Sequence, residues 1–210
     1  MSDIWTLQLG LSTYQLSITI IGNWVNSSDL EWILKVINEP NGFSKLSDAV
    51  FFSDEAVTTI SSIDIDFLKN QASALPVKKS RVLLHGKPEQ LLHEMLIVHT
   101  RGTYIQPHIN QRSAKSFLVI SGTMKLVLYD EDGSIRAHYC LSADDAEANV
   151  LIRLNRPYFH TLIMLSDTVV FLETTLGPHK ETIYADFAPQ PNEKGANEYM
   201  AWLEKQTDTV

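Results

Sequence analysis

The stretch GTYIQPHINQRSAKSFLVISG, residues 102–122, decides how the rest of the chain is read. It begins and ends on glycine, sets Pro107 ahead of His108, and closes on an apolar run with strand character. Residues two apart on a strand face the same side, so His108 and Asn110 aim together. Lys115 lies just past the turn that follows, on the next strand. A histidine with a second ligand-type residue two positions on is a common metal pattern, but here an amide and an ammonium stand in the second and third places. The stretch is a metal site, a metal site that has been lost, or a hairpin carrying a histidine.

The flanking sequence has one texture. RVLLH (81–85), EMLIVHT (94–100), SFLVISG (116–122), MKLVLYD (124–130), SIRAHYC (134–140), NVLIRL (149–154), HTLIML (160–165) and TVVFLETT (168–175) are short, apolar and β-branched. TYIQPHI (103–109) reads as a further strand, and turn residues such as DEDG (130–133) separate the runs. Strands at this density predict an antiparallel sandwich or barrel over residues 81–187, with no helix of three turns between 95 and 172. A helix led by Asp64 precedes it, stopped at Pro76, and NEYMAWLEK (197–205) predicts a closing helix with Tyr199, Trp202 and Leu203 on one face.

Upstream, residues 4–11 and 14–21 alternate apolar and polar and read as paired strands. Ser28 and Glu31 have capping-box spacing, and Leu30, Ile33, Leu34 and Ile37 lie on one face of a helix at 28–38 that Pro40 and Gly42 end. A polar, Ser-rich passage follows. The expected organisation is an N-terminal appendage, a β-hairpin plus helix, over residues 1–61, and a β domain over 62–210.

The chain has 210 residues, 44% of them apolar and 20% charged, with a net charge of −8. That balance fits a globular domain with an appendage and lacks the basic footprint of a nucleic-acid or anionic-membrane binder. The alternating N-terminus is not a signal-peptide pattern, and no run approaches the roughly 20 apolar residues of a membrane span. Cys140 is the only cysteine, so neither an intrachain disulfide nor a cysteine zinc site is available, and the expected setting is cytoplasmic.

The interval from Gly102 through His108, Asn110 and Lys115 to Gly122 is the spacing of the first cupin motif, which normally reads Gly, His-x-His, Glu, Gly. NRPYFHTLIM (155–164) stands where the second motif supplies a last histidine, His160. RVLLH, HEMLIVHTRGTYIQPH (93–108), LYDEDGSI (128–135), FHTLI (159–163), ETTLGP (173–178) and DFAPQPNE (186–193) occur in the order found in the WbuC-like cupin-fold metalloproteins, which the chain resembles from about residue 63 onward. The resemblance implies a cupin double-stranded β-helix, that is an antiparallel jelly-roll barrel with a few flanking helices, and a setting in bacterial surface-polysaccharide (O-antigen type) biosynthesis. By analogy with cupins it also implies a homodimer. The first sixty residues carry no resemblance.

Three imidazoles and a carboxylate would suit zinc, iron, manganese, nickel or copper. Here Asn110 replaces one histidine and Lys115 replaces the glutamate, so only His108 and His160 remain as strong ligands, with Asn110 a weak one. A divalent transition metal is therefore expected to be held weakly. Lys115 either swings out to solvent or turns inward. Tyr158, Arg81, Glu94 and Glu173 are further candidates for the pocket or for structural hydrogen bonds, Glu173 being either an inward polar group or a rim residue. His99, His138 and His179 read as surface or loop residues. Three functions follow. An isomerase or epimerase of a sugar nucleotide would use His108 or His160 as base and Lys115 as acid, base or phosphate holder. A metal-dependent cupin would work with an altered ligand shell. A non-catalytic member would bind a small polar ligand or a partner.

Overall fold

The computed structural model describes the strands Ile4–Leu11 and Tyr14–Ile21 and residues 42–208 except 111–113, 179 and 192. The chain divides into two compact units, Met1–Pro40 and Asn41–Val210. In the first, β1 (Ile4–Leu11) and β2 (Tyr14–Ile21) form the expected antiparallel hairpin, in register from Ile4↔Ile21 to Leu11↔Tyr14. The helix expected at 28–38 lies outside the described residues.

The second unit starts about twenty residues before the boundary expected near residue 61. Its first strands, β3 (Ser44–Ser47) and β4 (Val50–Phe52), fall in the passage that looked merely polar. β4 pairs in parallel with β5 (Lys79–Leu83), and Phe51 is buried against Phe67. Runs of four and three residues are too short to show a period, so neither strand stood out in the sequence.

Between β4 and β5 lies α1 (Ser62–Ala74). Its cap is Ser61 rather than the expected Asp64. The Ser61 hydroxyl accepts from the Asp64 N–H at 3.3 Å while the Asp64 carboxylate accepts from the Ser61 N–H at 2.7 Å, a reciprocal capping box. The helix stops because Pro76 drives Leu75 into extended backbone, with ψ of 140°.

The strands that follow are β6 (Leu92–Thr100), β7 (His108–Asn110), β8 (Lys115–Ser121), β9 (Thr123–Tyr129), β10 (Ile135–Ser142), β11 (Leu151–Leu154), β12 (Phe159–Met164), β13 (Thr168–Leu176) and β14 (Thr182–Tyr184). One sheet runs β10-β9-β12-β7-β14 and the other β11-β8-β13-β6-β5-β4-β3. The eight strands β6 to β13 read as a chain folded back on itself. β6 pairs with β13, β7 with β12, β8 with β11 and β9 with β10, all antiparallel. The doubled ribbon then coils so that β8 also pairs with β13 and β9 with β12. This is a jelly roll, the double-stranded β-helix that the resemblance implies. Of the expected strand at 103–109, only residues 108 and 109 are extended in a sheet, as part of β7.

Strand alternation gives each sheet two faces. Phe117, Val119, Met124, Leu126, Leu128, Leu162, Met164, Val169 and Phe171 meet between the sheets. On the outer face of the larger sheet, Val82, Leu96, Val98 and Val170 are covered by Phe67, Leu68 and Ala72 of α1. On the outer face of the smaller sheet, Val127, Tyr129 and Ile163 are covered by Met200 and Leu203 of α2 (Ala196–Gln206). That helix's inner stripe is Met200, Leu203 and Tyr199; Trp202, expected on it, is 44% exposed. The buried Lys125 ammonium donates to the Thr207 carbonyl at 2.5 Å and holds the end of α2 in place.

The motif's two glycines have different surroundings. Both Gly102 and Gly122 have φ of +78°, a backbone region that side chains disfavour. At Gly122 a Cβ would also stand 2.5 Å from the Thr168 carbonyl. The tight β8–β9 connection thus requires glycine twice over, by conformation and by space.

Candidate functional site

His108 on β7 and His160 on β12 are register partners in the smaller sheet, so their rings rise side by side into the barrel, centroids 4.5 Å apart. Lys115 opens β8 in the facing sheet and points inward, with 4% of its side chain exposed. On the neighbouring β13, Thr175 stands opposite Lys115, and Glu173 is two residues along, on the same face. That diagonal places the Glu173 carboxylate 3.0 Å from the Lys115 ammonium. The ammonium also lies 3.4 Å from His160 Nε2 and 5.6 Å from the Phe117 ring centre. Asn110 completes the group, lining with Lys115, His160, Arg156 and Tyr158 a cavity of about 10 Å³. That is room for about one water at most.

Hydrogen bonds fix the tautomers. His108 Nδ1 lies 3.0 Å from the Gln106 carbonyl and His160 Nδ1 lies 2.9 Å from the Tyr158 carbonyl. A carbonyl only accepts, so both Nδ1 atoms carry hydrogen and donate. Each neutral ring then presents an Nε2 lone pair, and His160 Nε2 accepts from Lys115. Burial, reinforced by the Lys115 charge, pulls the pKa of His108 down to about 4. Burial, Lys115 and His108 together hold His160 well below the usual imidazole value. Both are neutral at pH 7.

A divalent transition metal does not suit this donor set. The position that should offer a carboxylate presents an ammonium, already ion-paired and hydrogen-bonded at the point of convergence. An ammonium has no lone pair to give and repels a dication. Among the described residues no three His, Cys, Asp or Glu side chains gather in a metal-holding group.

The other candidates scatter. Tyr158 stands at the mouth, where its hydroxyl accepts from Arg156 Nε at 2.5 Å. Glu94 is on the opposite sheet face, since its register partner Thr174 is also that of outward-facing Ser116; its carboxylate accepts from the Thr174 hydroxyl at 3.2 Å. Arg81 is exposed on β5, outside the Lys115 group. His99, expected at the surface, is instead 8% exposed beneath Phe171. His138 is half-buried, and His179 lies outside the described residues.

Arg156 was not singled out in the sequence, and the signal for it was a guanidinium two residues before Tyr158. It forms a wall common to the small cavity and to a larger one of about 470 Å³. The larger cavity opens between the edge strands of the two sheets, walled by Tyr139 of β10 and Ile152 of β11 over Leu128 and Leu154.

The jelly-roll topology makes this a cupin-fold protein, and it gathers His108, Asn110, Lys115 and His160 together. A domain family of unknown function, DUF6016, matches residues 60–141, less than half of the chain. No curated protein matches it. Among solved structures, the capsular polysaccharide assembling protein CapF from Staphylococcus aureus is similar at 18% identity and a TM-score of 0.42, over 50% of this chain and 29% of CapF. KdgF from Halomonas sp. is similar at 18% identity and 0.37, over 49% and 81% of the two chains. An oxalate oxidase is similar at 11% identity and 0.41, over 65% and 75%. The fold assignment rests on the strand topology, and these likenesses carry neither activity nor substrate to this chain. Among the described residues no helix is long and apolar enough to cross a membrane.

Proposed function

We propose that this chain is a metal-independent cupin that binds a sugar nucleotide at the mouth of its barrel, in bacterial surface-polysaccharide biosynthesis. The observation that carries the metal-independent part is the Lys115 ammonium, 3.0 Å from Glu173 and 3.4 Å from His160 Nε2. It supplies inside the barrel the positive charge that a metal ion supplies in other cupins, and it is covalently attached. The polysaccharide setting comes from the sequence resemblance, and an anionic ligand is supported by Arg156 at the mouth. Elemental analysis of untagged protein tests the first part: substoichiometric metal is expected, and tightly held stoichiometric metal would return the chain to the metal-dependent class. Calorimetric titration with UDP- and dTDP-linked hexoses tests the second.

One observation favours an enzyme, an isomerase or epimerase of the bound sugar. His160 is neutral with its Nε2 on an ammonium, so a base and an acid stand in contact. In this reading the sugar displaces Arg156 and Tyr158 from the mouth of the small cavity, His160 or His108 removes a proton next to a carbonyl, and Lys115 returns one. Incorporation of solvent deuterium beside the carbonyl of a keto-sugar nucleotide would show it. Its absence, with binding intact, leaves the binding function.

A further inference from the structure

We infer that the cavity between the edge strands β10 and β11 is a nucleoside diphosphate site, with the base between the sheet edges and the diphosphate on Arg156. This inference rests on the ligand class proposed above and assigns its place.

The lining is of two kinds. Tyr139, Ile152, Leu128 and Leu154 form an apolar slot with an aromatic ring 39% exposed. Arg153, Asn155, Arg156 and Tyr158 are polar or cationic. Arg153 donates to Asn155 Oδ1 at 2.9 Å and to the Ser116 hydroxyl at 3.3 Å. Two guanidiniums stand near the Tyr158 ring, Arg156 at 5.1 Å and Arg136 at 5.6 Å from its centre. Arg136 is neutralised by Asp130 at 2.7 Å. Arg156 spends one N–H on the Tyr158 hydroxyl, and no carboxylate pairs with it among the described residues. In a chain of net charge −8, an exposed guanidinium without a counter-charge, held by a tyrosine beside an apolar slot, is a ready anion acceptor. The volume of about 470 Å³ is in the range of small-molecule sites, roughly 300–1,000 Å³. The cavity of about 10 Å³ beside Lys115 cannot take such a ligand.

Arg101 provides a charge control. It is exposed, donates to the Leu165 carbonyl at 3.0 Å and does not line the cavity. Calorimetry with UDP, ADP, uridine and pyrophosphate would be run on wild type, Arg156→Gln, Tyr139→Ala and Arg101→Gln, after equal thermal midpoints confirm folding. UDP or ADP is expected to bind at least tenfold tighter than uridine or pyrophosphate alone. Arg156→Gln should weaken it at least tenfold, Tyr139→Ala about fivefold, and Arg101→Gln less than twofold. No binding of either diphosphate overturns the site, as does an equal loss in the two arginine variants or pyrophosphate binding as tightly as UDP. Binding that survives Arg156→Gln but is lost in the double variant Lys115→Met with Glu173→Leu, measured alongside, moves the ligand into the barrel; the groove is then wrong while the proposed function stands. The metal content of the wild type judges that function independently.

Discussion

The Lys115 ammonium and the Glu173 carboxylate form a buried ion pair, 3.0 Å apart on adjacent strands, at the point where a cupin's ligands converge. Two charges removed from water depend on each other. Removing one partner of such a pair costs about 3–5 kcal/mol, whereas replacing both with apolar groups is often neutral. Glu173→Leu is therefore expected to lower unfolding free energy by about 3 kcal/mol, and Lys115→Met by a similar amount. The double variant Lys115→Met with Glu173→Leu should lie within about 1 kcal/mol of wild type. Urea denaturation of the four proteins measures the coupling, and simple additivity would mean that the two charges are independently solvated.

Restoring ligands should create a metal site. Asn110→His with Lys115→Glu places two new donors beside His108 and His160 and removes the ammonium. The double variant is expected to bind a divalent transition metal at least a hundredfold more tightly than wild type, by titration and elemental analysis of identically prepared proteins. Equal weak binding by both would show that the four positions do not converge closely enough to share an ion.

What the sequence disclosed was local. The interval from Gly102 to Gly122 and the alternation of β6 to β13 are short-range signals, and they carried the antiparallel β domain and the facing of His108 and His160, while the side to which Lys115 turns stayed open. His99 is buried where a surface position is expected, although its parity with Met95 and Ile97 in an apolar strand points inward. The cap of α1 is Ser61 rather than Asp64, although the two have capping-box spacing. The Lys115–Glu173 pair was not, since it joins distant segments through the β8–β13 register, which no local pattern encodes. Arg156 escaped for a related reason: its value lies in a cavity formed by edge strands that belong to different sheets.

His99 should make stability depend on pH. Burial, with Lys79 and Arg81 near, holds its pKa at about 3, against about 6.5 unfolded, and its Nδ1 has no hydrogen-bond partner. Between these values the unfolded chain binds a proton that the folded chain refuses, so stability falls as pH drops below about 6.5. The slope is about 1.4 kcal/mol per pH unit for this group. His99→Phe keeps a ring against Phe171 and removes the titration. It should gain about 2 kcal/mol relative to wild type on going from pH 8 to pH 5. Denaturation midpoints at the two pH values check this, and parallel shifts in both proteins would show that His99 is protonated when folded.

Gly122 and Gly42 separate strain from space. Both have positive φ, +78° and +83°. Among the described residues a Cβ at Gly42 meets nothing within 4 Å, while one at Gly122 stands 2.5 Å from the Thr168 carbonyl, a backbone atom that cannot swing aside. Alanine in left-handed backbone costs roughly 1–2 kcal/mol, so Gly42→Ala should cost about 1 kcal/mol. Gly122→Ala adds the displacement of β13 at Thr168 and should cost about 3 kcal/mol or more. Because β13 carries Glu173 and pairs with β8, that shift should also loosen the Lys115 ion pair. Hydrogen exchange at the β8 and β13 amides is expected to speed up in Gly122→Ala and remain unchanged in Gly42→Ala. Equal costs in the two variants would mean that the β8–β9 turn relaxes without disturbing the sheet behind the site.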